Sequence, residues 1–267
     1  MNMNRYKDHK EAQKELERIF NQKNSCLFIH YSCESFYDIP NGATPRITAI
    51  AVKHYGTNQT TSFSIHKVAE LKHIAFEEIT SHYDELEKEM LKEFFSYVEK
   101  HSGYTWVHWN MRNIVYGFQA IEHRYKVLGG KPSEIADERK VDLSLLLIKM
   151  YGIKYIGHPR LEKLKELNKI SYLGYLSGKE EATSFQNGEY VKLYSSTVSK
   201  VDLLMNIVER MRTDELKTNA KWKEIYGVSI QGIFQFLNSK WWFRLVVSLL
   251  SLFAGGLIGY FLNIWMG

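Results

Sequence analysis

Cysteine and proline are both scarce in this sequence of 267 residues, which has two cysteines and four prolines. Cys26 and Cys33 lack the paired spacing with other cysteines or histidines that a zinc site needs, and two thiols are too few for a disulfide framework. Few prolines, together with an aromatic content of 14%, argue against long disordered segments. The sequence therefore predicts a folded domain in a reduced compartment, with both cysteines as core or strand residues.

Motifs of several common enzyme classes are also absent. There is no Gly-x-x-x-x-Gly-Lys-Ser/Thr phosphate loop, no Gly-x-Ser-x-Gly nucleophile motif and no His-Glu-x-x-His zinc motif. Residues 1–20 are polar and charged, without the apolar stretch of a secretory signal. The net charge of +5 suits an anionic partner, either nucleic acid or a membrane surface, and does not distinguish the two.

Charge of either sign is missing from residues 245–267. A helix of roughly 20 apolar residues crosses a bilayer, and this segment has that length. Aromatic residues flank it as they flank membrane spans, namely Trp241, Trp242 and Phe243 at its start and Tyr260 and Trp265 near its end. Lys240 and Arg244 precede the segment and no basic residue follows, which predicts a cytoplasmic N-terminal part. We therefore expect a single-pass tail anchor in the cytoplasmic membrane, with inner-membrane lipid as its partner.

Small residues recur along one face of this predicted anchor. Ser251, Gly255, Gly259 and Asn263 follow at four-residue spacing, and Gly255 with Gly259 forms the small-xxx-small pattern that lets two helices approach closely. Asn263 offers an interhelical hydrogen bond. One interpretation is a homo-oligomer formed through this face; the alternative is that these are the glycines common in any membrane helix.

The rest of the chain alternates strand and helix patterns, which predicts an α/β fold with one mixed sheet flanked by helices. We predict an N-terminal helical segment over 1–24, an α/β domain over 25–212, a helical linker over 213–240 and the transmembrane anchor over 241–267. Within the domain the pattern favours strands over 26–31, 47–55, 60–65 and 105–109, and helices over 83–100, 141–150, 160–168 and a late stretch ending near residue 211. The linker either lies along the membrane surface or packs on the domain.

Short motifs fall at defined points of that order. Ser32-Cys33-Glu34 ends the first strand, His108-Trp109-Asn110 ends the strand over 105–109, and Asp202 lies on the late helix. This order resembles the ribonuclease-H-like fold of the DEDD 3′–5′ exonucleases, in which the first strand ends in Asp-x-Glu and the final Asp sits on a late helix. The resemblance covers residues 26–211. It implies phosphodiester hydrolysis with two Mg²⁺ or Mn²⁺ ions held by four acidic side chains.

Two of the four acidic positions carry other residues in this chain. Ser32 stands where the family has its leading Asp, and Arg112 or Asn113 lies nearest to a second expected acid. The resemblance therefore leaves Glu34 and Asp202 as the catalytic and metal-binding candidates. The position of the family's general base corresponds to Thr197 or Val198. Mg²⁺ is poorly held without carboxylates, so whether the domain is an enzyme stays open.

A polar cluster at the end of the strand over 105–109 is the candidate ligand-binding site. It contains His108, Asn110, Arg112 and Asn113. Strand ends of this kind face ligand crevices in α/β sheets, a His ring stacks on a base, and Arg112 suits a phosphate. The alternative is a structural strand-to-helix turn with Trp106 and Trp109 as core anchors.

Three functions are compatible with these patterns. The first is a membrane-anchored cytoplasmic protein whose exonuclease-like domain binds or processes nucleic acid. The second is a catalytically inactive sensor of a nucleotide or a nucleic acid. The third is a membrane-assembling effector of the bacterial defence type. Cleavage of nucleic acid would select the first function, and binding of nucleic acid without cleavage would select the second. Cell toxicity that depends on Gly255 and Gly259 would select the third.

Overall fold

The computed structural model describes residues 5–34, 44–112 and 115–266. Five strands of these residues form one sheet: β1 (Cys26–Cys33), β2 (Ile47–His54), β3 (Thr60–Ser64), β4 (Thr105–His108) and β5 (Lys140–Asp142). The helices are α1 (Arg5–Asn21), α2 (Ile65–Leu71), α3 (Tyr83–Lys100), α4 (Phe118–Val127), α5 (Leu143–Tyr151), α6 (Arg160–Leu167), α7 (Gly178–Gln186), α8 (Tyr190–Arg212), α9 (Trp222–Tyr226), α10 (Ile230–Asn238) and α11 (Trp241–Met266).

The sheet is mixed, with the order β3-β2-β1-β4-β5. β1 pairs with β2, and β2 with β3, in antiparallel fashion, whereas β4 and β5 run parallel to β1. β1 is therefore central and covered on both faces, which explains its continuous apolar run from Cys26 to Ile29. The predicted α/β fold with a mixed sheet and a hairpin beside the first strand is confirmed.

Alternate residues of β1 face two separate cores. Leu27, Ile29 and Tyr31 pack with side chains of α3 and α4. Cys26 and Phe28 face the opposite layer, which is built from α1, α5 and α8. The apolar positions of α8 that enter this second core are Val201, Leu204, Ile207 and Val208. The long helix α8 thus packs across β1 and β2.

Two predicted helical stretches are divided in the structure. The stretch over 141–150 begins with the short edge strand β5, and the helix starts only at Leu143, because the Asp142 side chain accepts hydrogen bonds from the backbone N–H groups of Ser144 and Leu145. The stretch over 213–240 contains α9 and α10, which are separated at Gly227, where φ is 78°. Within the described residues, one helix is long and apolar enough to cross a membrane, over Trp241–Phe261.

A buried ion pair fastens α3 to α4. Glu87 is fully buried; its carboxylate accepts from the Arg124 guanidinium at 2.6 and 2.9 Å and from the Ile47 backbone N–H at 2.7 Å. Burial raises the pKa of Glu87 to about 7, and Arg124 opposes that rise. The pair therefore ties both helices to the first residue of β2, at the cost of desolvating two charges.

Removing the cation of this pair tests its contribution. We expect Arg124→Met to lower the free energy of unfolding by about 3–5 kcal/mol, because the buried Glu87 carboxylate loses its cation and keeps only the Ile47 backbone N–H. Lys92→Met is the matched control: Lys92 pairs with Glu89 on the surface of α3, and its loss should leave stability near the parent value. Urea denaturation measures both, and equal losses would contradict the assignment.

Candidate functional site

The C-terminal ends of the parallel strands β1, β4 and β5 meet at one edge of the sheet. Ser32 of β1, His108 of β4 and Asp142 of β5 mark this edge. Ligand sites of open α/β sheets lie outside such strand ends. Two different environments are found there, one under α7 and α8 and the other beside α1 and α4.

The first environment is a buried polar cluster around Ser32. The Ser32 hydroxyl lies 2.5 Å from the Thr197 hydroxyl and 3.4 Å from a carboxylate oxygen of Glu181. Ser196 donates a hydrogen bond to the same Glu181 oxygen at 2.7 Å. Ser32, at the position expected for the leading acid, is thus in direct contact with Thr197, one of the two positions expected for the general base, and both carry hydroxyl groups.

Lys200 supplies the positive charge of this cluster. Its ammonium group lies 2.6 Å from the second carboxylate oxygen of Glu181, and the two side chains are only 7% and 13% exposed. His30 is buried nearby. Its burial is the main reason that its pKa lies well below the ordinary value, and the positive charge of Lys200 lowers this pKa further. Its Nδ1 has no hydrogen-bond partner among the described residues. The charged groups of this cluster are therefore the Lys200 ammonium and the Glu181 carboxylate, which neutralise each other.

The donor set of this cluster does not fit two divalent cations. Mg²⁺ and Mn²⁺ take hard oxygen ligands, with carboxylates as the main charged ones. Glu181 is engaged by Lys200 and Ser196, and the remaining donors near Ser32 are neutral hydroxyls. In the described part of the chain, no group of three or more His, Cys, Asp or Glu side chains is arranged to hold a metal ion.

The structure does not bring Glu34 and Asp202 together. Glu34 lies beyond the end of β1, 3.9 Å from the Arg46 guanidinium, whereas the Asp202 carboxylate lies 2.5 Å from the Lys53 ammonium. Lys53 is opposite Phe28 in the sheet, near the start of β1. Phe28 and Glu34 are six residues apart, so at about 3.3 Å per strand residue the backbone of Glu34 lies roughly 20 Å along the sheet from the position where Lys53 binds Asp202. A single ion cannot contact both.

The second environment contains the predicted binding cluster. The Arg112 Nε lies 2.5 Å from the Asp142 carboxylate, and the Asn110 side-chain oxygen accepts from Arg112 at 2.5 Å. His108 is buried and its Nδ1 accepts from the Met111 backbone N–H at 3.1 Å. The structure thus brings His108, Asn110 and Arg112 together. Asn113 lies outside the described residues.

A cavity of about 790 Å³ opens beside this cluster. His108, Arg112 and Phe118 form one wall, and Lys14 and Arg18 of α1 form another. The remaining charged residues of the lining are Glu11, Glu15, Asp137, Lys140, Asp142 and Lys149. Trp106 is buried in the core beneath it, as the structural alternative proposed.

Sequence reasoning missed the contribution of α1 to this cavity. Lys14 and Arg18 stand four residues apart, so the predicted N-terminal helix places them on one face, and this spacing was the available signal. Nothing in the sequence indicates that this face meets β4, where the Arg18 guanidinium donates to the Thr105 hydroxyl at 3.4 Å. That contact follows from the packing of α1 against α5.

The predicted membrane-helix face lies along α11. Ser251, Gly255 and Gly259 are exposed, and a side chain added at either glycine would meet no neighbouring atom within 4 Å. The Ser251 hydroxyl donates to the Val247 backbone carbonyl at 2.8 Å. The side chain of Asn263 lies outside the described residues.

Replacing Lys200 tests whether the cluster is a structural charge pair. We expect Lys200→Met to lower the free energy of unfolding by about 3–5 kcal/mol, because Glu181 remains buried without its cation. Adding Glu181→Gln to that variant should restore part of the loss. Lys192→Met, which removes an exposed lysine of α8, is the control. If Mg²⁺ restored the stability of the Lys200→Met variant, the cluster would be a metal site instead.

Acid is expected to destabilise the domain through His108. Burial lowers the pKa of His108 from about 6.5 to about 4; Asp142 opposes this, and Arg112 and Lys140 add to it. As the pH falls, the unfolded chain binds this proton first, so stability is lost between about pH 6.5 and about pH 4, by about 3 kcal/mol at most. His108→Asn should reduce this loss of stability, which is measured by urea denaturation at a series of pH values. His123→Asn, at an exposed position of α4, should not.

Comparison with protein-family models, with curated proteins and with solved structures gave no match. The candidate site is accordingly defined by its own contacts. These are the closed cluster around Ser32 and Lys200, and the open cavity beside His108 and Arg112.

Proposed function

We propose that this chain is a membrane-anchored cytoplasmic protein whose ribonuclease-H-like domain binds a nucleotide or the end of a nucleic-acid strand without metal-dependent hydrolysis. The observation that carries the proposal is the cavity at the ends of β4 and β5. The closed cluster at the end of β1 supports its non-hydrolytic part.

The order of elements supports the ribonuclease-H-like assignment. A central first strand is followed by a hairpin beside it, then by α3, and then by β4, which ends in His108. The late helix α8 crosses the end of β1, where Thr197 meets Ser32. The DEDD resemblance implies a late helix at this point, although Ser32 stands where that family has its leading acid and Thr197 lies where its general base is expected.

The cavity lining supports an anionic ligand with an aromatic part. The lining includes five basic side chains and the ring of Phe118, and a volume of about 790 Å³ falls in the range of small-molecule sites, which is roughly 300–1,000 Å³. Four carboxylates balance most of this charge. Lys14, however, has no carboxylate within ion-pair distance among the described residues. A phosphate would be met by Lys14 and by Arg112, whose guanidinium is about half exposed.

The geometry of the acids disfavours two-metal hydrolysis. Glu34 and Asp202 are each paired with a separate basic residue, and the resemblance's other acidic position at Ser32 lies in a buried network with Lys200 and Glu181. Activation of water by two ions needs carboxylates that converge on ions about 4 Å apart.

The helix α11 supports the membrane anchor. It has the length and composition of a spanning helix and is not covered by the rest of the chain. Lys240 and Arg244 at its start favour a cytoplasmic location for the domain. Homo-oligomerisation through Ser251, Gly255 and Gly259 stays a prediction, which the uncovered face permits.

Ligand binding is tested with the full-length protein in nanodiscs. We expect ATP or a short single-stranded oligonucleotide to bind with a dissociation constant that rises about tenfold or more in Arg112→Ala and in Lys14→Ala, because a charge-assisted hydrogen bond contributes about 1.5–3 kcal/mol. Lys192→Ala, on the exposed side of α8, is the control and should bind normally. Calorimetry measures the affinities, and absence of binding by both probes would overturn the proposal.

The same preparation tests for hydrolysis. We expect no Mg²⁺- or Mn²⁺-dependent degradation of the oligonucleotide, and no effect of Glu34→Gln or Asp202→Asn on the products seen by gel electrophoresis. Degradation that both substitutions abolish would instead establish a nuclease with these two residues in its active site.

A further inference from the structure

The helix α10 exposes an apolar face directly before the membrane helix. Ile230, Ile233 and Phe234 are 85%, 40% and 53% exposed, and their i, i+3, i+4 spacing places them on one side. No residue of α10 carries a charge. Val228 and Trp241, which flank the helix, are also largely exposed. A contiguous apolar strip of this kind marks an interaction surface rather than ordinary solvent-facing helix.

The opposite side of α10 is fastened to the domain. The ring of Phe236 stacks on Trp222 of α9 at 4.9 Å between centroids, and the Gln235 side chain donates to Gln13 of α1 at 3.2 Å. Gly232 packs so closely on the Tyr226 backbone carbonyl that no side chain fits there. The orientation of the apolar face is therefore set by the domain and not by a free linker.

The segment before α10 is itself held by the domain. The Arg5 side chain of α1 donates to the backbone carbonyls of Glu224 at 2.6 Å and Ile225 at 3.2 Å. Gly227, which has a left-handed backbone, lies against Arg5 at the turn between α9 and α10. The N-terminal helix thus holds both short helices in place.

The exposed face continues into the start of α11. Only Ser239 and Lys240 separate the two helices, a link that spans at most about 7 Å. The Phe234 ring contacts Phe243 in the first turn of α11, with 6.0 Å between centroids. Trp241 and Trp242 extend the strip, and they are residues that favour the membrane–water interface.

We infer that α10 lies in the headgroup region of the bilayer, with Ile230, Ile233 and Phe234 inserted, and so docks the domain on the membrane surface. The inference rests on the proposed anchor, since α11 brings α10 to the bilayer. The lipid surface fits this face because covalent continuity confines α10 to the entrance of the span. Lys240 and Arg244 beside it attract anionic headgroups.

Docking through α10 has a consequence for the candidate cavity. α1 contacts α9 and α10 and also supplies Lys14 and Arg18 to the cavity. α1 has 17 residues and is therefore about 25 Å long. A ligand in the cavity is then bound within roughly that distance of the membrane, in a fixed orientation.

Site-specific fluorescence tests the docking on the full-length protein. Cys26 is buried and Cys33 is partly buried, and burial raises the pKa of both thiols, so both react more slowly than a cysteine introduced on the surface. We would label Ile230→Cys with an environment-sensitive dye in vesicles of phosphatidylcholine and phosphatidylglycerol. Leu71→Cys is the matched control, since Leu71 is an exposed apolar residue of α2, which packs beside β3 at the far edge of the sheet.

The expected result is blue-shifted emission at position 230 and quenching by lipids that carry a shallow spin label, with neither effect at position 71. Phe234→Asp in the Ile230→Cys background should reduce the quenching while the protein stays resistant to carbonate extraction. No quenching at position 230 in a carbonate-resistant protein would overturn the docking and leave the anchor intact. Extraction by carbonate would overturn the anchor itself. Blue-shifted emission without quenching, lost when the protein is diluted in lipid, would assign the face to a second copy instead.

Discussion

The buried contact between the Lys200 ammonium and the Glu181 carboxylate determines what the end of β1 can do. Both side chains are almost fully removed from water, and such charges are tolerated only when they are paired and hydrogen-bonded. Ser32, Ser196 and Thr197 complete the hydrogen bonds of the cluster. The end of β1 thus has its own ammonium group beside its buried carboxylate, where a divalent cation would need free carboxylate ligands.

The two halves of the strand edge consequently differ in character. Under α7 and α8 the hydroxyl, carboxylate and ammonium groups around Ser32 pair with one another. Beside α1 and α4 the same edge leaves a cavity lined by ion pairs that are partly exposed, among them Arg112 with Asp142 and Arg18 with Glu15. A partly exposed pair such as Arg18 with Glu15 contributes little to stability, so a ligand phosphate can compete for Arg18 at small cost. The Asp142 carboxylate is only 6% exposed, so a phosphate has to bind Arg112 alongside Asp142 rather than replace it.

The membrane-proximal helices connect this cavity to the proposed anchor. α9 and α10 are short and would not be stable helices in isolation, because an isolated helix of fewer than about 12 residues is marginal in water. They are ordered by stacking of Trp222 on Phe236 and by hydrogen bonds from Arg5. Under the proposed docking, a chain attached in this way transmits the orientation of the bilayer to the domain, which a flexible tether would not.

The sequence by itself determined the α/β class, the hairpin beside the first strand, the late helix and the apolar helix near the carboxyl end. Each of these depends on local periodicity and composition, which the residues carry directly. It also placed His108 and Arg112 at a strand end. Only the tertiary structure decided the partners: Lys200 with Glu181, Lys53 with Asp202, and α1 as a wall of the cavity. These contacts join residues far apart in the chain, and no local pattern encodes which charge of a helix will face which strand. For the same reason β5 was hidden within a helical pattern, since its three residues form a strand only because β4 lies beside them.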